Sequence, residues 1–178
     1  VDPQTEQIDY DAIEELARLH KPKVIVAGYS SYPWSVDWAR FKAIAKSVGA
    51  YLLADISHVS GLVAAGVYPS PVGFADVITF TTHKTMNGPR GACIITTEAV
   101  LGRKIDRAVF PGEQGGPHIH QVAAIALAFK LAGTEKYRQL QRRGLLYLRR
   151  GAQDADVGMA TDHTGAGAGR IHQDAVEW

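Results

Sequence analysis

With 178 residues, 46% of them hydrophobic, the chain is long enough to bury a core as one domain or as part of one. Nineteen basic residues against eighteen acidic ones leave a formal charge of +1, which gives no electrostatic footprint for nucleic acid and turns attention to small molecules or a second copy of the chain. A single cysteine, Cys93, rules out an intramolecular disulfide framework and fits a reducing cytoplasm, and no apolar run approaches the length of a membrane span.

The first element is a helix that Asp9 or Asp11 caps, running through Ile13, Leu16 and Ala17 to His20, where Lys21-Pro22-Lys23 breaks it. Val24 to Ala27 then reads as a strand. Trp38, Phe41, Ile44, Ala45 and Val48 recur at helical spacing, so a second helix turns this stripe toward a sheet and closes at Gly49. Tyr51 to Ala54 and Val77 to Phe80 are further strand-like runs, joined through Pro69, Pro71 and Gly73. The turn Asn87-Gly88-Pro89 reverses the chain into Ala92–Thr96, an antiparallel neighbour in which Cys93 reads as a buried packing residue. From Gln121 to about Arg149 one helical pattern follows, with Val122, Ile125, Ala126, Phe129 and Leu131 on its apolar side. The alternation of helix and strand predicts an α/β fold with a mainly parallel sheet and flanking helices. Residues 1–149 read as one domain, and 150–178 as an irregular Gly- and Ala-rich tail; its Gly165-Ala166-Gly167-Ala168-Gly169-Arg170 run lacks the strand and helix that a phosphate loop needs.

Two polar clusters follow strands. Asp55-Ile56-Ser57-His58 ends one apolar run, and Thr81-Thr82-His83-Lys84-Thr85 ends another. Taken singly, such an acid caps a turn and such a lysine is a solvated surface charge. Together they suggest more, because ligands of open α/β sheets bind beyond the carboxyl ends of the strands. A lysine there is suited to a Schiff base with an aldehyde, and an acid to keeping a pyridine nitrogen protonated.

The lysine and acid in this order resemble the fold-type I pyridoxal-phosphate enzymes. The flanking runs Tyr51–Gly66, Thr81–Gly91 and Phe110–Pro117 resemble serine hydroxymethyltransferase, and the similarity extends from Val1 to about Arg142-Arg143. The resemblance implies the central part of the large, cofactor-binding domain. It implies reversible conversion of serine and tetrahydrofolate to glycine and 5,10-methylenetetrahydrofolate, with pyridoxal 5'-phosphate as cofactor and tetrahydrofolate as cosubstrate. It assigns Lys84 to the Schiff base, Asp55 to the pyridine nitrogen, His58 and Ser30 to the surroundings of the cofactor, and His83 to reaction specificity. Gly115 and Gly116 would offer backbone N–H groups to the cofactor phosphate across a homodimer interface, so that the site is shared between subunits. An attacking lysine must be neutral, and Arg90 is a candidate cationic neighbour that favours this form; it serves equally as a structural arginine binding turn carbonyls.

The resemblance also implies segments not found here: an upstream phosphate-binding turn, a ring-stacking histidine and tyrosines, and a small C-terminal domain with a carboxylate-binding arginine. The start at Val1 without a methionine agrees with an incomplete sequence, and weak cofactor affinity with little turnover is the expectation for the chain alone. Three alternatives remain at this stage. A threonine aldolase-like lyase shares the chemistry without folate; a noncatalytic dimerisation fragment would use the Gln114-Gly115-Gly116 segment; a metal hydrolase would draw on Asp55, His58, His83, His118 and His120, the last two on one side of an extended segment.

Overall fold

The computed structural model describes residues 1–146. The chain divides into two units, Val1–Arg142 and Arg143–Trp178, and the sheet and its flanking helices belong to the first. The expected boundary at 149/150 and the Gly-rich tail lie outside the described residues.

Helix α1 (Tyr10–His20) starts where Asp9 accepts a hydrogen bond from the Ala12 N–H at 2.9 Å, and ends at Lys21 in the left-handed conformation. Strand β1 (Val24–Ala27) leads through a loop to α2 (Trp38–Ser47), whose first turn is capped by Asp37 accepting from the Arg40 N–H at 2.9 Å. Each cap satisfies one of the N–H groups that a helix start leaves without a partner. Strand β2 (Tyr51–Asp55), the short helix α3 (Ser60–Ala64) and strand β3 (Val77–Thr81) follow, and then strand β4 (Ala92–Ile95), α4 (Ala99–Arg107) and α5 (Ile119–Ala132). The four strands lie in the order β1-β2-β3-β4, the first three parallel and β4 antiparallel to β3, as the Asn87-Gly88-Pro89 reversal predicts. The register sets Ala27 beside Ala54, Asp55 beside Thr79 and Thr81 beside Ala92. Three strand C-termini and the start of β4 therefore form one rim.

One face of the sheet carries the core. Ala27, Leu52, Ala54, Ile78 and Phe80 pack with Trp38, Phe41 and Ala45 of α2, so the apolar stripe of that helix does face the sheet. Residues of opposite parity, Val24, Val26, Tyr51 and Ile94, remain exposed on the other face, where an open apolar cavity of about 1050 Å³ extends to Leu101 and Ile105 of α4. Cys93 is only partly buried, because β4 is an edge strand, and that burial pushes its thiol pKa up.

The long helical pattern after Gln121 is not one helix. It breaks at Gly133-Thr134, where Thr134 accepts from the Tyr137 N–H at 3.3 Å and starts a second helix at residue 135. Within α5 the buried residues are Ala128 and Ala132, whereas Val122 and Leu131 are more than half exposed. A helix apolar all round has no period with which to choose a face.

Asp76, just before β3, ties the layers together. Its carboxylate accepts from the Leu52 N–H at 2.8 Å and from Lys42 Nζ of α2 at 2.6 Å. Burial pushes its pKa up, but these hydrogen bonds and the lysine charge outweigh that and hold it below the ordinary carboxylate value. A depressed folded-state pKa adds stability above the unfolded value that is lost as pH falls through the folded one. Asp76→Asn should therefore lower stability at pH 7 and flatten the acid limb of the stability profile below about pH 5, as read by denaturant unfolding at each pH. An acid limb as steep as that of the parent chain would contradict this role.

Candidate active site

The acid on the rim is held from two sides. Ser57 donates to Asp55 Oδ1 from both its backbone N–H, at 2.9 Å, and its hydroxyl, at 2.6 Å. The same hydroxyl oxygen accepts from the Thr81 N–H at 3.2 Å, so the turn after β2 is tied to the end of β3. Gly28, just beyond β1, approaches so closely that a Cβ there would lie 2.3 Å from the Asp55 carbonyl oxygen. Asp55 is nevertheless exposed and borders a small recess with Tyr29, Tyr32, Trp38 and Tyr68.

Lys84 lies in the loop between β3 and β4. The buried Thr82 closes that loop, accepting at its carbonyl from the Gly88 N–H at 2.7 Å and donating its hydroxyl to the Pro89 carbonyl at 2.6 Å. Lys84 Nζ reaches His58 Nε2 at 3.0 Å. The imidazole accepts this bond when its own proton is on Nδ1, which makes His58 a rest for the amine. Thr85 secures the same pair through the backbone: its hydroxyl donates to the His58 carbonyl at 3.1 Å and accepts from the Gly61 N–H at 3.0 Å.

The structure thus joins Lys84 to His58 and sets Asp55 on the same rim, with no hydrogen bond between Asp55 and Lys84 among the described residues. His83 and Thr81 flank this point, and His83 Nδ1 and Thr81 Oγ1 are buried side-chain atoms without hydrogen-bond partners among the described residues. Such atoms are uncommon in a packed interior and are the kind of feature a binding group satisfies. Ser30 is exposed, three residues after β1 on that rim. Its loop is pinned by tyrosine hydroxyls: Tyr32 accepts from the Ile8 N–H at 3.0 Å, Tyr68 from Val36 at 3.2 Å and Tyr10 from Asp37 at 2.8 Å. Burial raises the pKa of Tyr29 and Tyr68 beside it.

Gly115 and Gly116 are exposed and share no hydrogen bond with the Asp55–Lys84 set among the described residues. Arg90 is exposed as well. The rings of His118 and His120 lie with centroids 5.5 Å apart and planes tilted by 53°, but His120 is already helical, so the pair does not lie on an extended segment. Among the described residues, no group of three or more His, Cys, Asp or Glu side chains is placed to hold a metal ion, and no helix is long and apolar enough to cross a membrane. The large apolar cavity is elsewhere, on the bare sheet face, and includes none of Asp55, His58 or Lys84.

Two residues of the helix that follows the Gly133-Thr134 break belong to this region although nothing in their local sequence marks them. Tyr137 and Gln141, both buried, each donate to the Thr85 carbonyl at 2.9 Å. Their only signal is polarity at an i, i+4 spacing on a helix.

A three-strand parallel rim with a fixed acid ending one strand and a lysine after the next defines an α/β domain of the fold-type I kind. The family model for serine hydroxymethyltransferase matches residues 1–153, and the chain belongs to that family. It is similar to the serine hydroxymethyltransferase of Psychrobacter cryohalolentis, 57% identical over 136 residues that make up 76% of this chain and 32% of the relative. It is also similar to that of Legionella pneumophila strain Lens, 55% identical over 84% of this chain and 36% of the relative, and to that of Synechococcus sp. strain JA-3-3Ab, 52% identical over 82% and 37%. The chain spans about a third of the length of these curated relatives.

Proposed function

We propose that the rim formed by Asp55, His58, His83 and Lys84 holds pyridoxal 5'-phosphate, and that the chain forms the cofactor-holding part of a serine hydroxymethyltransferase. The reaction is the reversible conversion of serine and tetrahydrofolate to glycine and 5,10-methylenetetrahydrofolate. The observation that carries the reading is the contact of Lys84 Nζ with His58 Nε2 at 3.0 Å, one strand away from a carboxylate fixed by Ser57. The donor set fits the group: an amine for its aldehyde, a carboxylate for its ring nitrogen, and two buried polar atoms, Thr81 Oγ1 and His83 Nδ1, in need of partners.

When bound, pyridoxal phosphate supplies an electron sink for charge that develops at the substrate Cα. Lys84 is the amine that bonds it. His58 Nε2 orients that amine, and Asp55 holds the proton of the ring nitrogen. Ser57 keeps the Asp55 carboxylate aimed, since Oδ1 is already committed to it and Oδ2 is left for a ligand. Ser30 borders the cofactor, and His83 bears on reaction specificity. Gly115 and Gly116, exposed and separate from the rim by hydrogen bonding, suit a phosphate contact in the neighbouring site of a homodimer. A cytoplasmic setting is consistent with the lone, half-buried Cys93.

A chimera in which the matching segment of the Psychrobacter relative is replaced by that of this chain tests the reading. It should cleave serine at a rate that depends on tetrahydrofolate. Cleavage of hydroxy amino acids without any response to tetrahydrofolate would point to an aldolase-like lyase, and a folded dimer that takes up no pyridoxal phosphate would point to a dimerisation role.

A further inference from the structure

We propose that Tyr137 and Gln141 are positioning residues for Lys84, acting through the Thr85 carbonyl. The inference rests on the reading of Lys84 as the amine that bonds the cofactor aldehyde.

Lys84 sits in a loop of ten residues, Thr82–Gly91, and a loop of that length does not by itself aim a long side chain. What aims it is Thr85. Both lone pairs of its carbonyl oxygen are filled, by Tyr137 Oη and by Gln141 Nε2, each at 2.9 Å. Its hydroxyl donates to the His58 carbonyl and accepts from the Gly61 N–H. One residue thus fixes the backbone next to Lys84 and, at the same time, the backbone of the histidine against which Nζ rests. Tyr137 and Gln141 are 7% and 8% exposed, so no water replaces them readily if they are removed. Burial raises the pKa of Tyr137, which keeps the phenol a donor. A helix that begins more than fifty residues downstream thereby sets the direction of the amine. Misplacement of a reacting group by about 1 Å costs on the order of 10²-fold in rate, so two hydrogen bonds at this position matter beyond their contribution to folding.

The test uses the 178-residue chain, pyridoxal phosphate and borohydride. Lys84 Nζ adds to the aldehyde carbon and water leaves; hydride from borohydride then yields a stable secondary amine, and peptide mapping gives the ratio of label at Lys84 to label at the other lysines. Tyr137→Phe and Gln141→Leu should each lower this ratio about fivefold, the scale of one lost hydrogen bond, with circular dichroism unchanged. Arg138→Ala, on the exposed side of the same helix, should leave it unchanged. A parental ratio in the folded Tyr137→Phe chain would overturn the proposal. That variant removes a single oxygen and keeps the ring, so it decides the matter even if Gln141→Leu fails to fold. Equal labelling of all lysines in the parent chain would remove the cofactor reading, and this proposal with it; selective labelling in parent and variants alike would remove only the clamp.

Discussion

Lys84→Gln is expected to abolish serine cleavage in the chimera, lowering turnover by at least about 10³-fold, since losing the nucleophile of a covalent mechanism costs up to the order of 10⁶. The substitution shortens the side chain by one atom and removes its charge but leaves a polar group in a partly exposed loop, so the fold is spared while the amine that contacts His58 Nε2 is gone. The same substitution should bring borohydride-stable label on the 82–91 peptide to background. Asp55→Ala should behave differently. Lys84 should retain its contact with His58 in that variant, so label should persist while turnover falls, because the role proposed for the acid is at the ring nitrogen and not in the attachment. Full turnover in Asp55→Ala would contradict that division of labour; appreciable turnover in Lys84→Gln would contradict the assignment of the amine.

Gly61→Ala is the second large effect. A Cβ on Gly61 would lie 2.1 Å from the Thr85 carbonyl oxygen and 2.7 Å from Tyr137 Oη. Neither neighbour gives way easily, since the first is backbone and the second is held by its bond to that carbonyl. The variant should lose about 3 kcal/mol, the upper end of overpacking costs, read as a lower denaturant midpoint at unchanged slope. It should also lose selective labelling of Lys84, because relief of the clash moves Thr85. A variant as stable as the parent would mean that the approach of α3 to the Thr85 loop is looser than the geometry implies.

Most strands and the first two helices were legible for local reasons. Asp9 precedes the apolar stripe of α1 as its cap, Trp38, Phe41, Ile44 and Ala45 mark α2 by their helical spacing, and Val24–Ala27 and Val77–Thr81 are rich in β-branched residues between turn signals. The two polar clusters stood out because each interrupts an apolar run. The short helix α3 was not legible: it has five residues and no side-chain cap, and Thr85, from another part of the chain, satisfies the Gly61 N–H. Helix α4 does carry a pattern, with Leu101 and Ile105 one turn apart, but it buries no residue, so nothing in the core calls for it. The buried face of α5 differs from the expected one because Val122, Leu127, Phe129 and Leu131 surround the helix and the small Ala128 and Ala132 make the close contact. Tyr137 and Gln141 were missed for a related reason. Their hydrogen bonds reach a carbonyl more than fifty residues away, which no local pattern encodes.

On the proposed reading, the ends of β2 and β3 serve a single ligand. A crystal structure of the chain grown with pyridoxal phosphate tests it most directly. The expected result is a covalent bond at Lys84 Nζ and the Asp55 carboxylate within hydrogen-bond distance of the ring nitrogen of the same molecule. Pyridoxal phosphate bound at another lysine, with Asp55 and Lys84 facing separate regions of solvent, would contradict it.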